Sequence, residues 1–125
     1  MSKKVVIINP EELPVVSSIE GDLKSMQEVV QGHIELFWTT ESGVDLFCNE
    51  EGKINHMQPN RYIPEMEDLI FGPILAISHD DEGDSMSLTD EQVAEIVDMF
   101  TNKYPASMFF FDENHHIISI KLDFD

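Results

Sequence analysis

The residues best equipped for chemistry lie close together between Cys48 and Arg61. Cys48-Asn49-Glu50-Glu51-Gly52-Lys53 is followed shortly by Pro59-Asn60-Arg61. Arg61 is the only arginine in the chain, and its planar fork of N–H donors suits a carboxylate or a phosphate. Asn49 and Asn60 can each offer a donor and an acceptor. Glycine at position 52 permits a left-handed backbone, so Glu50 to Lys53 can turn tightly. Two readings stay open. Asn49, Glu50, Lys53, Asn60 and Arg61 could line a small polar pocket that binds a partner's side chain or sequesters a ligand such as a nucleotide signal. Alternatively, Arg61 pairs with Glu50 or Glu51 and ties an irregular loop to the sheet.

Other reactive groups are sparse. Cys48 could act as a nucleophile with His56 as base, but its place in an alternating apolar run fits a buried structural thiol better. It is the only cysteine, which excludes an internal disulfide and a thiolate cluster for zinc. His115-His116 beside Asp112 and Glu113 could hold a divalent metal weakly. Adjacent side chains in a turn seldom converge, so ordinary surface histidines are expected. The acidic run His79 to Ser85 fails as a calcium loop: placing Gly83 sixth puts Ser78 first and Thr89 twelfth, with no glutamate to close the site. There is no glycine-rich phosphate loop, nucleophile elbow or pair of histidines four apart on a helix. The expectation is a non-catalytic protein without metal or cofactor.

Charge narrows the partners. With 25 acidic and 7 basic side chains the formal net charge is −18, so direct binding to nucleic acid or an anionic membrane is disfavoured. Residues 1–62 carry 10 acidic and 5 basic groups, while residues 63–125 carry 15 and 2. Such acidity can serve solubility. It can also imitate a phosphate backbone and occupy a nucleic-acid-binding groove on another protein. No apolar run approaches the length of a membrane span. Val5 to Ile8 is too short for a signal-peptide core and reads as a first strand. A reducing, cytoplasmic setting is the expectation.

These groups need a scaffold, and 125 residues at 42% apolar can build a single domain. Lys3 to Ile8 and Leu13 to Ile19 read as a hairpin around Asn9-Pro10. Leu23, Met26, Gln27 and Val30 fall on one helical face, with Gly32 placed for a left-handed ending. His33 to Thr39 and Val44 to Cys48 form a second hairpin. From Ile54 to Met66 no strong period appears, and Pro59 and Pro64 predict irregular structure. Leu69 to Ile77 suits a strand buried on both faces, with a bulge or edge position at Gly72-Pro73. Thr89-Asp90-Glu91-Gln92 is a capping box that opens a second helix, with Leu88 and Val93 spaced as a staple. Val93, Ile96, Val97 and Phe100 line its buried side, and Pro105 stops it. Met108 to Phe111 and Ile117 to Phe124 read as a final hairpin. Its alternating apolar residues could serve a dimer edge as readily as the core. The fold class is therefore α+β, a mostly antiparallel sheet of about five to seven strands with two helices packed on it.

Leu23-x-x-Met26-Gln27-x-x-Val30-x-Gly32-x-Ile34-Glu35, Cys48 to Lys53, Pro59-Asn60-Arg61 and Asp68-x-Ile70-x-Gly72 together resemble a family of short proteins of unknown function. That family is met in phages and mobile elements, and the match runs to about Leu88. The chain departs from it at Gln31-Gly32, where the family usually has Gly-Gly, and at Gln58-Pro59, where it has Leu-Pro. Residues 1–88 would be the family-like core, and residues 89–125 an acidic helix and hairpin added to it. The resemblance implies a small accessory protein in the cytoplasm of a bacterium carrying such an element, blunting host defence. Its partner would be a host protein, such as a nucleic-acid-binding defence factor. Glu82, Asp84, Asp90, Glu91, Glu95 and Asp98 are the candidate contact residues. On the second helix Glu91, Glu95 and Asp98 share a surface opposite the buried one.

Overall fold

The computed structural model describes residues 2–106, and the backbone of 109–111 and 117–120. Strands β1 (Lys3–Ile8), β2 (Val15–Ile19), β3 (Ile34–Thr39), β4 (Val44–Asn49), β7 (Ile74–His79) and β8 (Ser85–Met86) build a six-stranded antiparallel sheet, in the order β2-β1-β7-β4-β3 with β8 paired to the end of β7. Strands β5 (Pro59–Ile63) and β6 (Asp68–Phe71) form a separate antiparallel pair, as do β9 (Phe109–Phe111) and β10 (Ile117–Ile120). Helix α1 (Leu23–Val30) lies on one face of the large sheet and helix α2 (Asp90–Asp98) on the other. The α+β class expected from the sequence is the class observed.

Side-chain alternation explains the three layers. Along the central strands Val5, Leu75 and Ile77 point to α1, where they bury Met26 and Val30. Their neighbours Val6, Ile8, Leu46, Ile74 and Ala76 point the other way, onto Ile96 and Phe100. Ile63 and Ile70 of the β5–β6 pair complete that second core. Each fully buried aliphatic side chain contributes about 1.5–3 kcal/mol. The continuous apolar run of β7 is thus the mark of a strand covered on both sides.

Several elements differ from the expectation. The run from Leu69 to Ile77 is two strands in different sheets, because Gly72 takes φ 81° and Pro73 has no N–H to offer a ladder. The stretch expected to be irregular contains β5, whose partner β6 lies within ten residues along the chain. In α1 the left-handed ending falls on Gln31 (φ 66°), not Gly32, and Leu23 is exposed. The capping box is present as expected. Thr89 Oγ1 accepts from the Gln92 N–H, and Gln92 Oε1 accepts from the Thr89 N–H. Beyond Asp98 the helix widens into a π-type turn, Met99–Lys103, closed by the Tyr104 N–H on the Met99 carbonyl. The faces of the final hairpin and the His115-His116 pair, with Asp112 and Glu113, lie outside the described residues.

Gly52 is buried but not left-handed, so the expected reason for a glycine there is replaced by another. A Cβ at this position would stand 2.8 Å from the Phe71 carbonyl oxygen, a contact that backbone must move to relieve. Gly52→Ala should therefore destabilise the domain by about 1–3 kcal/mol in urea unfolding. Unchanged stability would show that the loop does not press against β6.

Candidate functional site

Asn49, Asn60 and Arg61 sit at one end of the large sheet. Here β1 and β4 finish, β7 begins, and both helices run to their C-termini. The last carbonyls of a helix have no intrahelical donor and must find one elsewhere. Asn49, at the end of β4, supplies it for α1: its Nδ2 donates to the carbonyls of Val30 (3.0 Å) and Gln31 (3.2 Å). Its Oδ1 accepts from the Glu51 N–H at 2.8 Å. Gly32 is required here for room, since a Cβ on it would lie 2.6 Å from Asn49 Nδ2.

Arg61 does the same for the second helix. It is 0% exposed, and every polar contact it makes is to an oxygen of the protein. Nε donates to the Tyr104 carbonyl at 2.7 Å. Nη1 donates to Asn60 Oδ1 at 2.7 Å and to the Asn60 carbonyl at 3.3 Å. Nη2 donates to the Glu12 carbonyl at 2.8 Å and the Phe100 carbonyl at 3.3 Å. In a π-type turn the next donor for Phe100 would be residue 105, which is proline and has no N–H. The guanidinium takes that place, and its charge meets the negative end of the helix dipole. Burial pulls its pKa down to about 10, so it stays protonated near neutral pH. Asn60 completes the junction by donating from Nδ2 to the carbonyls of Ile8 (2.7 Å) and Gly72 (2.8 Å).

The expected pairing of Arg61 with Glu50 or Glu51 does not occur, because the guanidinium is interior while both carboxylates, like Lys53, are exposed. The five candidate ligand residues therefore divide: Asn49, Asn60 and Arg61 are turned inward and hydrogen-bonded, while Glu50 and Lys53 remain at the surface. A groove of about 370 Å³ opens beside this junction, lined by Asn9, Pro10, Glu12, Gln31, Met57 and Gln58 with Gly72 and Pro73. None of the five lines it. Cys48 is buried in the core, where desolvation, with Glu35 and Asp68 adding to it, pushes its thiol up to about 12.

At the opposite end of the sheet lies a pair the sequence did not single out. Asp45 Oδ2 meets His79 Nδ1 at 2.5 Å, and Asp45 Oδ1 accepts from Thr39 Oγ1 at 2.8 Å. The pair borders a cavity of about 130 Å³ lined also by Met26, Phe47 and Ser85. Ser85 donates its hydroxyl to the Gly21 carbonyl, so the imidazole is oriented without a nucleophile bonded to it among the described residues. The only sequence sign was a carboxylate, Asp45, inside an apolar strand.

The candidate acidic residues occupy that same end and the outer side of α2. Glu82 and Asp84 lie in the turn between β7 and β8, and Asp90 and Glu91 open α2. Asp90 pairs with Lys4 at 2.9 Å, which holds its carboxyl below the usual range. Glu91 and Asp98 are exposed and Glu95 half-buried, and none of the three has an ion pair among the described residues. No group of three or more metal-ligating side chains occurs among the described residues. Among the described residues no helix is long and apolar enough to cross a membrane.

Comparison with known proteins finds one family model, a domain of unknown function (DUF3846), matching residues 2–101. The match passes residue 88, continuing through α2 into the π-type turn. No curated protein and no solved structure matches.

Two predictions follow from the junction and its surroundings. Arg61→Ala should cost about 3 kcal/mol or more by urea unfolding, because it strands buried carbonyls. Lys53→Ala should stay within about 0.5 kcal/mol; equal small effects would mean the guanidinium is not a structural tie. The second concerns Glu65, which accepts from Tyr104 Oη at 2.6 Å and pairs with Lys103 at 2.8 Å. Lys103, then Tyr104, hold its carboxyl down at about 2. A depressed folded-state pKa adds stability above the unfolded value, lost as pH falls toward about 2. Glu65→Gln should lower the melting temperature at higher pH, where the charged carboxylate contributes, and flatten its fall with acid in the window between the unfolded value and about 2.

Proposed function

The chain belongs to the DUF3846 family, a domain of unknown function, and from that starting point we propose a non-catalytic accessory protein that acts by binding another protein through its acidic surface. The observation that carries this reading is α2. Ile96 is buried on its inner side, while Glu91, Glu95 and Asp98 line the outer side on a helix stiffened by a complete capping box. Carboxylates held at fixed spacing on a rigid element can take the place of phosphates in a basic groove, with an attraction that weakens as salt rises. Glu82, Asp84 and Asp90 extend the negative field toward the β7–β8 turn, and the net charge of −18 adds long-range steering.

The resemblance to phage and mobile-element proteins suggests the setting: the cytoplasm of a host bacterium, with a nucleic-acid-binding defence factor as partner. A ligand-sequestering role for the Asn49–Arg61 segment has less support, since its two amides and its guanidinium are already engaged by the fold.

The protein should retain a basic, nucleic-acid-binding protein from bacterial lysate at low salt and release it as salt rises. Combining Glu91→Lys, Glu95→Lys and Asp98→Lys should reduce retention by about tenfold or more without loss of the fold. Retention that survives both high salt and charge reversal would overturn the proposal.

A further inference from the structure

We propose that the outer edge of β2 is a second docking surface, which takes an extended, lysine- or arginine-flanked segment of a partner protein as an added antiparallel strand. β2 ends the strand order of the large sheet and, among the described residues, pairs only with β1. Native proteins usually guard such an edge with charge, proline or a bulge. The opposite edge, β3, has such guards: Glu35 lies within it and its register shifts between Leu36 and Trp38. β2 has neither. Val15-Val16-Ser17-Ser18-Ile19 is free of charge and proline, and pairs with β1 through five successive positions without a shift. Val15 and Val16 are each 50% exposed and Leu13 just before them 66%, while Ile19 packs on the core under α1. A groove of about 460 Å³ runs between this strand and α1, lined by Ser2, Ser18, Ile19, Ser25 and Val29 together with the carboxylates Glu20 and Glu28. An added strand bonds to the free backbone groups of such an edge and sets alternate side chains into the neighbouring groove.

Charge selects the occupant. No basic residue occurs between Lys4 and Lys24, whereas Glu11 and Glu12 precede β2, Asp22 follows it and Glu28 borders the groove. Lys3 and Lys4 lie one strand further in, on β1, and Lys4 is already paired with Asp90. An apolar strand with carboxylates beyond its ends complements a β-forming segment bracketed by cations. A second copy fits worse. Antiparallel self-pairing centred on Ser17 would carry Glu20 of each copy toward the Glu11-Glu12 turn of the other, and like charges brought close repel. It would also join two chains that each carry −18.

The test uses the full chain and a fluorescent synthetic peptide of alternating valine and threonine bracketed by lysines, with a control in which glycine replaces valine at equal charge. The valine peptide should bind about tenfold or more tightly than its control and slow amide exchange across Val15 to Ile19. Val16→Lys should remove that difference, while Glu91→Lys with Glu95→Lys should preserve it. Failure at β2 is thus distinguishable from failure of the α2 reading. Equal binding of the two peptides, or β2 amides whose exchange does not slow in the unmutated protein, would overturn the proposal. So would a protein that sediments alone as a dimer with those amides already protected, because a second copy would then hold the edge. The exchange measurement decides the matter even if Val16→Lys does not fold.

Discussion

A guanidinium held in the interior, with no carboxylate partner among the described residues, is the constraint around which this domain is assembled. Removing a charge from water costs several kcal/mol, and a single hydrogen bond does not offset it. Arg61 meets the cost with oxygen acceptors from four places: the turn after β1, the neighbouring Asn60, the first part of the π-type turn at Phe100 and Tyr104 just beyond that turn. Those places are far apart in the chain, so the acceptors converge only when the β1–β2 turn, β5 and the end of α2 are all in place. The arrangement thereby favours one packing of these elements over alternatives in which the charge would be buried and unmet. Ring packing steadies one of the acceptors: Tyr104 stands 5.8 Å from Phe100 and 6.4 Å from Trp38, ring centre to ring centre.

The same logic gives the molecule two unlike ends. Both helices point their C-termini to the end that holds Asn49, Asn60 and Arg61, and their orphan carbonyls are met there by amide and guanidinium donors. Both N-termini lie at the other end, where Asp22 caps α1 and Asp90 and Glu91 open α2. Carboxylates are favourable beside the positive end of a helix dipole, so much of the acidity at that end carries little electrostatic strain. One cation, Arg61, and one carboxylate, Asp45, lie inside, so the excess of negative charge in the composition is carried by the surface. The polar side chains of the interior are satisfied among the described residues, and the surface presents carboxylates on α2 and, at the sheet edge, a strand without charge or proline.

Local signals in the sequence matched local structure. The capping box at Thr89 and Gln92 and the hairpins of β1–β2 and β3–β4 each depend on residues a few positions apart, so their chemistry could be read directly. The two-sided burial of β7 was also legible, as an unbroken apolar run. Signals that depend on distant neighbours misled. Gly52 looked like a turn glycine, but its requirement is set by the Phe71 carbonyl. Gly32 looked like the left-handed end of α1, but Gln31 takes that conformation and Gly32 makes room for Asn49. The strand at Pro59 to Ile63 was hidden by the proline that opens it and the one that follows it, and its pairing with β6 depends on Gly72-Pro73 dividing two sheets.

By itself, then, the sequence determined the class of the fold, the main helix and strand periods, the concentration of negative charge and the importance of the stretch from Asn49 to Arg61. It left open whether that stretch binds something or holds something. The tertiary structure shows what Asn49, Asn60 and Arg61 hold, because a donor's partners depend on which acceptors reach it. Those acceptors are backbone carbonyls, identical in every residue and therefore invisible in a string of side chains. The carboxylate beside His79 and the bare edge of β2 were likewise decided by which strands became neighbours, a matter of long-range pairing that no local pattern encodes.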